Sequence, residues 1–216
     1  MCFSAGASFS AAGVLSIISL LSIKQVRDKR LYSLALVPLA FAAQQFSEGV
    51  LWLALEKTIS PIFINPAAYI FLFFALFLWP LYIPISALLY EKNGMRRNLL
   101  YIPASIGLLF TSVVLYYLGA YGIQAECVSC HILYSVKDIS FSNYALIPYL
   151  IATIAPFFIS SIQNIWIFGL MLLAAFLISF VVYTAFLTSV WCFFAALLSM
   201  LLYWIIKTEN RPLSFD

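Results

Sequence analysis

Charge and histidine are what this sequence has least of. Only 9% of its residues are charged, while 65% are hydrophobic and the mean hydropathy is +1.05. That balance excludes an ordinary soluble domain and has the makeup of a polytopic membrane protein. The net charge of +3 carries no nucleic-acid signal, because the basic residues sit in short clusters beside apolar runs. A single histidine, His131, excludes the three-histidine pattern expected of membrane-embedded zinc hydrolases. No basic segment precedes the first apolar run, so no cleavable signal peptide is expected. Cys2 occupies the position that myristoylation reserves for glycine, which removes that lipid anchor.

Long apolar runs are what the sequence has in abundance. A membrane span needs about 20 mostly apolar residues, and that rule yields seven: roughly 6–23, 31–55, 67–90, 98–121, 144–162, 165–187 and 190–207. The expected fold is therefore all-α, a single seven-helix transmembrane bundle covering residues 1–216 in a lipid bilayer. Lys24, Arg27, Lys29, Arg30, Lys92, Arg96, Arg97, Lys207 and Arg211 fall on one side of such a bundle; Lys57 and Lys137 fall on the other. This bias predicts an outside N-terminus and an inside C-terminus. Prolines at 38, 80, 84, 103, 148 and 156 predict kinks. A three-one-three repeat would suit seven spans, but the polar stretch of the second has no counterpart in the sixth.

That stretch is Gln44-Gln45-Phe46-Ser47-Glu48-Gly49. Glu48 is the one ionisable Asp, Glu, Lys, Arg or His placed well inside a predicted span, and a carboxyl there costs roughly 2.5–3.5 kcal/mol on insertion scales. Such a residue is a functional hypothesis by default. On a helix Gln44, Gln45, Glu48 and Trp52 stand at three- and four-residue spacings, so they share one face.

The predicted topology puts all four cysteines and His131 in the outer half. Cys127-Val128-Ser129-Cys130-His131 has the Cys-x-x-Cys-His spacing of covalent haem attachment. No axial partner and no soluble cytochrome segment accompany it, so haem is set aside. The pair Cys127 and Cys130 also has the spacing of a redox dithiol, and four outer cysteines fit a membrane thiol oxidoreductase. A plain structural disulfide or two inert loop thiols is the simplest reading. Loss of Met1 would leave Cys2 with an amine and a thiol on one residue, a nucleophile or an N,S chelate for zinc or copper. Cys2, Glu48, His131 and Cys192 are the candidate metal ligands, and Cys2, Glu48 and His131 the candidate catalytic groups.

Several stretches taken together resemble a bacterial family of integral membrane proteins of uncharacterised function. They are Met1-Cys2-Phe3-Ser4-Ala5 with Ala7-Ser8-Phe9, Gln44-Gln45 with Glu48-Gly49-Val50-Leu51-Trp52, Trp79-Pro80, His131-Ile132 with Tyr134, and Trp191-Cys192-Phe193-Phe194-Ala195-Ala196. The resemblance runs from the first residue to the last span and implies a bacterial inner membrane. It implies that Cys2, Ser4, Gln44, Gln45, Glu48, Trp52, Trp79, His131 and Cys192 belong to the family pattern, and that Cys127 and Cys130 do not. It supplies no activity.

These readings converge on an outward-facing polar pocket that binds a metal ion or a small ligand, with or without chemistry on it, and with Ser4, Gln44, Gln45, Trp52 and Trp79 as further lining residues. A thiol oxidoreductase and a solute or ion transporter with Glu48 as its coupling carboxyl stand as alternatives. Packing as an oligomer or as a subunit of a larger membrane complex also stays open.

Overall fold

The computed structural model describes residues 4–128, 131–136 and 145–209. Within them the chain forms seven helices and one β-hairpin. The helices are α1 (Ala5–Gln25), α2 (Lys29–Leu55), α3 (Pro61–Tyr90), α4 (Gly94–Tyr121), α5 (Leu146–Ile159), α6 (Ile165–Val182) and α7 (Thr184–Glu209). All but α5 are long and apolar enough to cross a membrane. The expected fifth span is shorter than the sequence predicted: its 14 residues reach about 21 Å, below the roughly 30 Å of a hydrocarbon core. Pro156 lies in its last turn, and Ser160 then leaves the helix in an extended conformation.

Helix starts follow their capping residues. Ser4 accepts from the Ala7 N–H to begin α1, Asp28 accepts from Arg30 N–H ahead of α2, and Asn93 accepts from Met95 and Arg96 N–H to begin α4. Gly122, at φ 72°, ends α4. Large side chains left exposed, among them Ile17, Leu109, Tyr116 and Val181, form the apolar outer surface that a bilayer would cover.

Lipid tails are as apolar as leucine, so membrane helices associate through close packing and hydrogen bonds. The α1–α2 contact is built that way. Ser8, Ala12, Ser19 and Ser22 are buried along α1, and Ser19 Oγ donates to the Ala35 carbonyl at 2.8 Å. A Cβ on Gly49 would come within 2.9 Å of the Phe9 ring, so α2 is glycine where α1 lies against it.

In α3 the helix widens to a π turn over Phe73–Leu78, where Trp79 N–H donates to the Phe74 carbonyl. The Ala75 carbonyl would next look to residue 80, but Pro80 has no N–H. The Tyr149 hydroxyl of α5 supplies the missing donor at 2.7 Å. Pro84 in turn deprives the Pro80 carbonyl of its ordinary donor, and α4 packs against that carbonyl with Gly107. Two of the prolines at which kinks were expected, Pro80 and Pro84, thus stand where other helices dock.

The loop after α4 is where the all-helical expectation is corrected. Strands β1 (Ile123–Val128) and β2 (His131–Val136) pair antiparallel, with Ala125 opposite Tyr134 and Cys127 opposite Ile132. Ile132 is fully buried against Leu51, Trp52, Phe71 and Cys192, and Tyr134 stacks on Phe71 at 4.9 Å and 2°. Alternate residues point inward, which is the period of a strand. The hairpin therefore sits as a plug over the ends of α2, α3 and α7.

At the opposite end a carboxyl that the sequence left among loop charges proves structural. Glu91, 3% exposed, accepts from Asn93 N–H at 2.9 Å, Ser161 N–H at 2.7 Å and Ser161 Oγ at 2.9 Å. Arg96 donates to the Ser160 carbonyl at 3.0 Å, and Glu209 accepts from Gln163 N–H at 2.9 Å and from the Tyr90 hydroxyl. These bonds tie the α3–α4 and α5–α6 connections to the end of α7. Burial alone would raise Glu91, but the donors around it and the Arg96 guanidinium hold its carboxyl below the usual 4.5.

Two outcomes are expected. Gly107→Ala places a Cβ 2.0 Å from the Pro80 carbonyl oxygen and lowers stability by about 1–3 kcal/mol, whereas Gly13→Ala, with nothing within 4 Å, is near neutral; thermal unfolding in detergent compares them. A depressed carboxyl stabilises the fold above its unfolded value and loses that contribution as pH falls through its folded value. The melting-temperature gap between the wild type and Glu91→Gln is therefore widest near neutral pH and narrows as pH falls below 4.5, the ordinary value of the carboxyl.

Candidate functional site

Gln44, Gln45 and Glu48 stand on one buried face of α2, as their spacing predicts, and their exposures are 0%, 0% and 2%. Each meets a different neighbour. The Trp79 indole N–H donates to Gln44 Oε1 at 2.8 Å, which fastens α3 to α2. The Ser189 hydroxyl donates to Glu48 Oε1 at 2.5 Å, which fastens α7 to α2. The Gln45 amide reaches toward Glu48 without completing a hydrogen bond. Gln44 also faces the Cys192 thiol, and Tyr134 on the hairpin lies within electrostatic reach of both Glu48 and Cys192. Three helices and the hairpin thus converge on the Gln44–Glu48 face of α2.

Most of the hydrogen-bonding capacity there is unspent. Gln44 Nε2, both ends of the Gln45 amide, Trp52 Nε1, the Tyr134 hydroxyl and Trp191 Nε1 are buried without a partner in the structure. Native interiors rarely tolerate this, since an unmet buried group costs about 1–3 kcal/mol. Beside the cluster lies a cavity of about 40 Å³ with almost wholly apolar walls, bounded by Phe41, Trp79, Tyr149, Phe168, Leu172 and Cys192. Phe41 stacks on the Trp79 indole at 4.0 Å and holds it between cluster and cavity. Cys192 borders both.

The remaining candidates are distributed. Trp52 is buried beside Leu51, Ile132 and Cys192, close to the cluster. Ser4 is exposed and its hydroxyl caps α1. The His131 ring packs on Phe186, in the first turn of α7, at 4.8 Å and beside Tyr183, between α6 and α7, at 5.2 Å. Cys127 is an exposed free thiol on β1 and Cys192 a buried free thiol on α7. Cys2 and Cys130 lie outside the described residues, so the N-terminal chelate and the Cys127–Cys130 pair do too. Among the described residues no three of His, Cys, Asp and Glu come together in a way that would hold a metal ion.

Ser189 and Tyr149 were not read as functional from sequence. Ser189 had a signal: it stands one helical turn before Cys192, in an interruption of the apolar run. Tyr149 had none, because its role depends on a carbonyl freed on another helix.

Six helices able to cross a membrane, around a buried polar cluster, define the class: a multi-pass helical membrane protein. The chain belongs to a family of unknown function, DUF6629, whose pattern matches residues 1–215. No curated protein and no solved structure matches it.

The Trp79–Gln44 bond can be measured directly. Trp79→Phe leaves Gln44 Oε1 buried and unpaired and costs about 1–3 kcal/mol in detergent unfolding. In a double-mutant cycle with Gln44→Leu, the loss falls short of the sum of the singles by about 1 kcal/mol.

Proposed function

We propose that this protein binds a small molecule in a pocket facing the outer side of a bacterial inner membrane. Glu48, Gln44, Gln45, Trp79 and Cys192 form its lining and the β-hairpin its cover. The observation that carries the reading is the convergence of unpartnered buried polar atoms from α2, α7 and the hairpin beside a cavity. In an apolar medium those atoms are tolerable when something else meets them. The orientation rests on the nine-to-two bias of basic residues, which puts the hairpin outside and the Glu91 bonds inside. The seventh span is α5, short enough to need its neighbours on both faces.

A metal in this pocket would draw on Glu48 and Cys192, with Cys2 or His131 as further ligands. The amide, indole and hydroxyl groups around Glu48 favour hydrogen bonding to a molecule over metal ligation. Cys192 faces an amide and a carboxyl, which makes it the natural reporter of the site.

The test uses Cys192 as the sole cysteine, in a Cys2→Ser, Cys127→Ser, Cys130→Ser background reconstituted in sealed vesicles. A small polar methanethiosulfonate reaches Cys192 from the hairpin side, and Tyr134→Ala speeds the reaction about tenfold by loosening the cover. Labelling from the basic side, or only after unfolding, overturns the proposal.

A further inference from the structure

We propose that the ligand is a neutral, oxygen-bearing molecule with a short apolar arm, its carbonyl-type oxygen held by the amide and indole N–H groups around Glu48 and its arm in the adjoining cavity. This rests on the pocket reading above and specifies the chemistry that the pocket recognises.

Around Glu48, the unpartnered groups are the N–H donors of Gln44, Gln45 and Trp52, the Tyr134 hydroxyl, which can donate or accept, and one further acceptor, Gln45 Oε1; the Trp191 indole N–H, at the cavity wall, is a further unpartnered donor. Indole nitrogens can only donate, and the Trp79 donor has already taken Gln44 Oε1. A complementary molecule must bring acceptors. Ammonium groups bring three more donors and no acceptor, so a cation would leave the indoles and amides as they are. A carboxylate or phosphate brings acceptors together with a negative charge. It would then sit beside the Glu48 carboxyl, and no Lys, Arg or His lines the cavity. Arginine and lysine are the ordinary partners of such anions, and their place is taken here by Phe, Trp, Leu and Tyr. A neutral ketone, amide or quinone-type oxygen satisfies the donors without either penalty.

The arm follows from the cavity. About 40 Å³ between Phe41, Trp79, Phe168 and Leu172 is room for a few methylenes, and its apolar walls offer water little to bond. Cys192 marks the junction, since it borders the cavity and faces Gln44. The polar end therefore lies toward the hairpin and the apolar end toward Phe168.

Three probes of similar chain length, with six or seven carbons, separate the classes: 2-heptanone, hexylammonium and hexanoate. Each is titrated against the full-length protein in detergent, and the melting temperature is read. The expected result is a saturable rise with 2-heptanone alone. Gln45→Leu weakens it about tenfold or more, as the loss of one or two hydrogen bonds requires. Phe168→Trp, which fills the cavity and leaves the polar cluster intact, weakens it as well. A saturable rise with hexylammonium or hexanoate that Gln45→Leu removes overturns the ligand class and leaves the pocket standing. No saturable rise with any of the three, or a rise with 2-heptanone that ignores both substitutions, overturns the inference. Labelling of Cys192 from the hairpin side uses none of these probes, so failure of the pocket reading shows there separately.

Discussion

The hydrogen bond from Ser189 to Glu48 is the constraint around which the rest of this bundle is arranged. A carboxyl in the middle of an apolar helix has to meet polar partners inside the protein, because lipid offers none. Glu48 therefore draws α7 against α2, and the bond at 2.5 Å sets how the two helices are rotated. Once that rotation is set, Cys192, one turn beyond Ser189, faces the Gln44 amide, and Gln44 is in place to receive the Trp79 indole from α3. The hairpin then closes the end of the cluster with Ile132 and Tyr134.

The same rule governs the backbone. Two prolines four residues apart in α3 would strand the Ala75 and Pro80 carbonyls, and the protein answers each from another helix. A tyrosine hydroxyl meets the first, and the glycine surface of α4 lies against the second. These are packing decisions with a polar cause. They hold the π turn just ahead of Trp79, so the indole that anchors Gln44 stands on a helix whose irregularity is braced on two sides. At the end away from the hairpin Glu91 and Glu209 do comparable work, pinning backbone N–H groups of the α5–α6 connection.

An excess of donors in a dry site is a statement about specificity. Groups that are already paired contribute rigidity, while groups left unpaired define what a partner must bring. In this molecule the two kinds alternate around Glu48. Trp79 and Ser189 are engaged and hold the frame; the Gln45 amide and the Trp52 indole are buried and unpaired. The adjoining cavity is almost wholly apolar, so polar and apolar walls meet at Cys192.

The helical, membrane-spanning character was legible in the sequence because apolar run length answers to one variable, bilayer thickness. The grouping of Gln44, Gln45, Glu48 and Trp52 was equally legible, since helical periodicity alone puts them on one face. The hairpin was not, because its two strands are too short and too polar at Cys127 and Glu126 to stand out beside long apolar runs. Nor was the depth of the fifth span, where Pro156 and Ser160 cut short a stretch whose composition continues to residue 162. Ser189 and Tyr149 became site and scaffold residues through distances of 141 and 74 positions along the chain. By itself the sequence determined which residues are apolar enough to enter lipid and which polar groups must travel with them, because transfer free energy is a property of each side chain. Only the tertiary structure decided which of those polar groups find partners and which stay unpaired, because hydrogen bonds depend on the meeting of helices that the sequence keeps far apart.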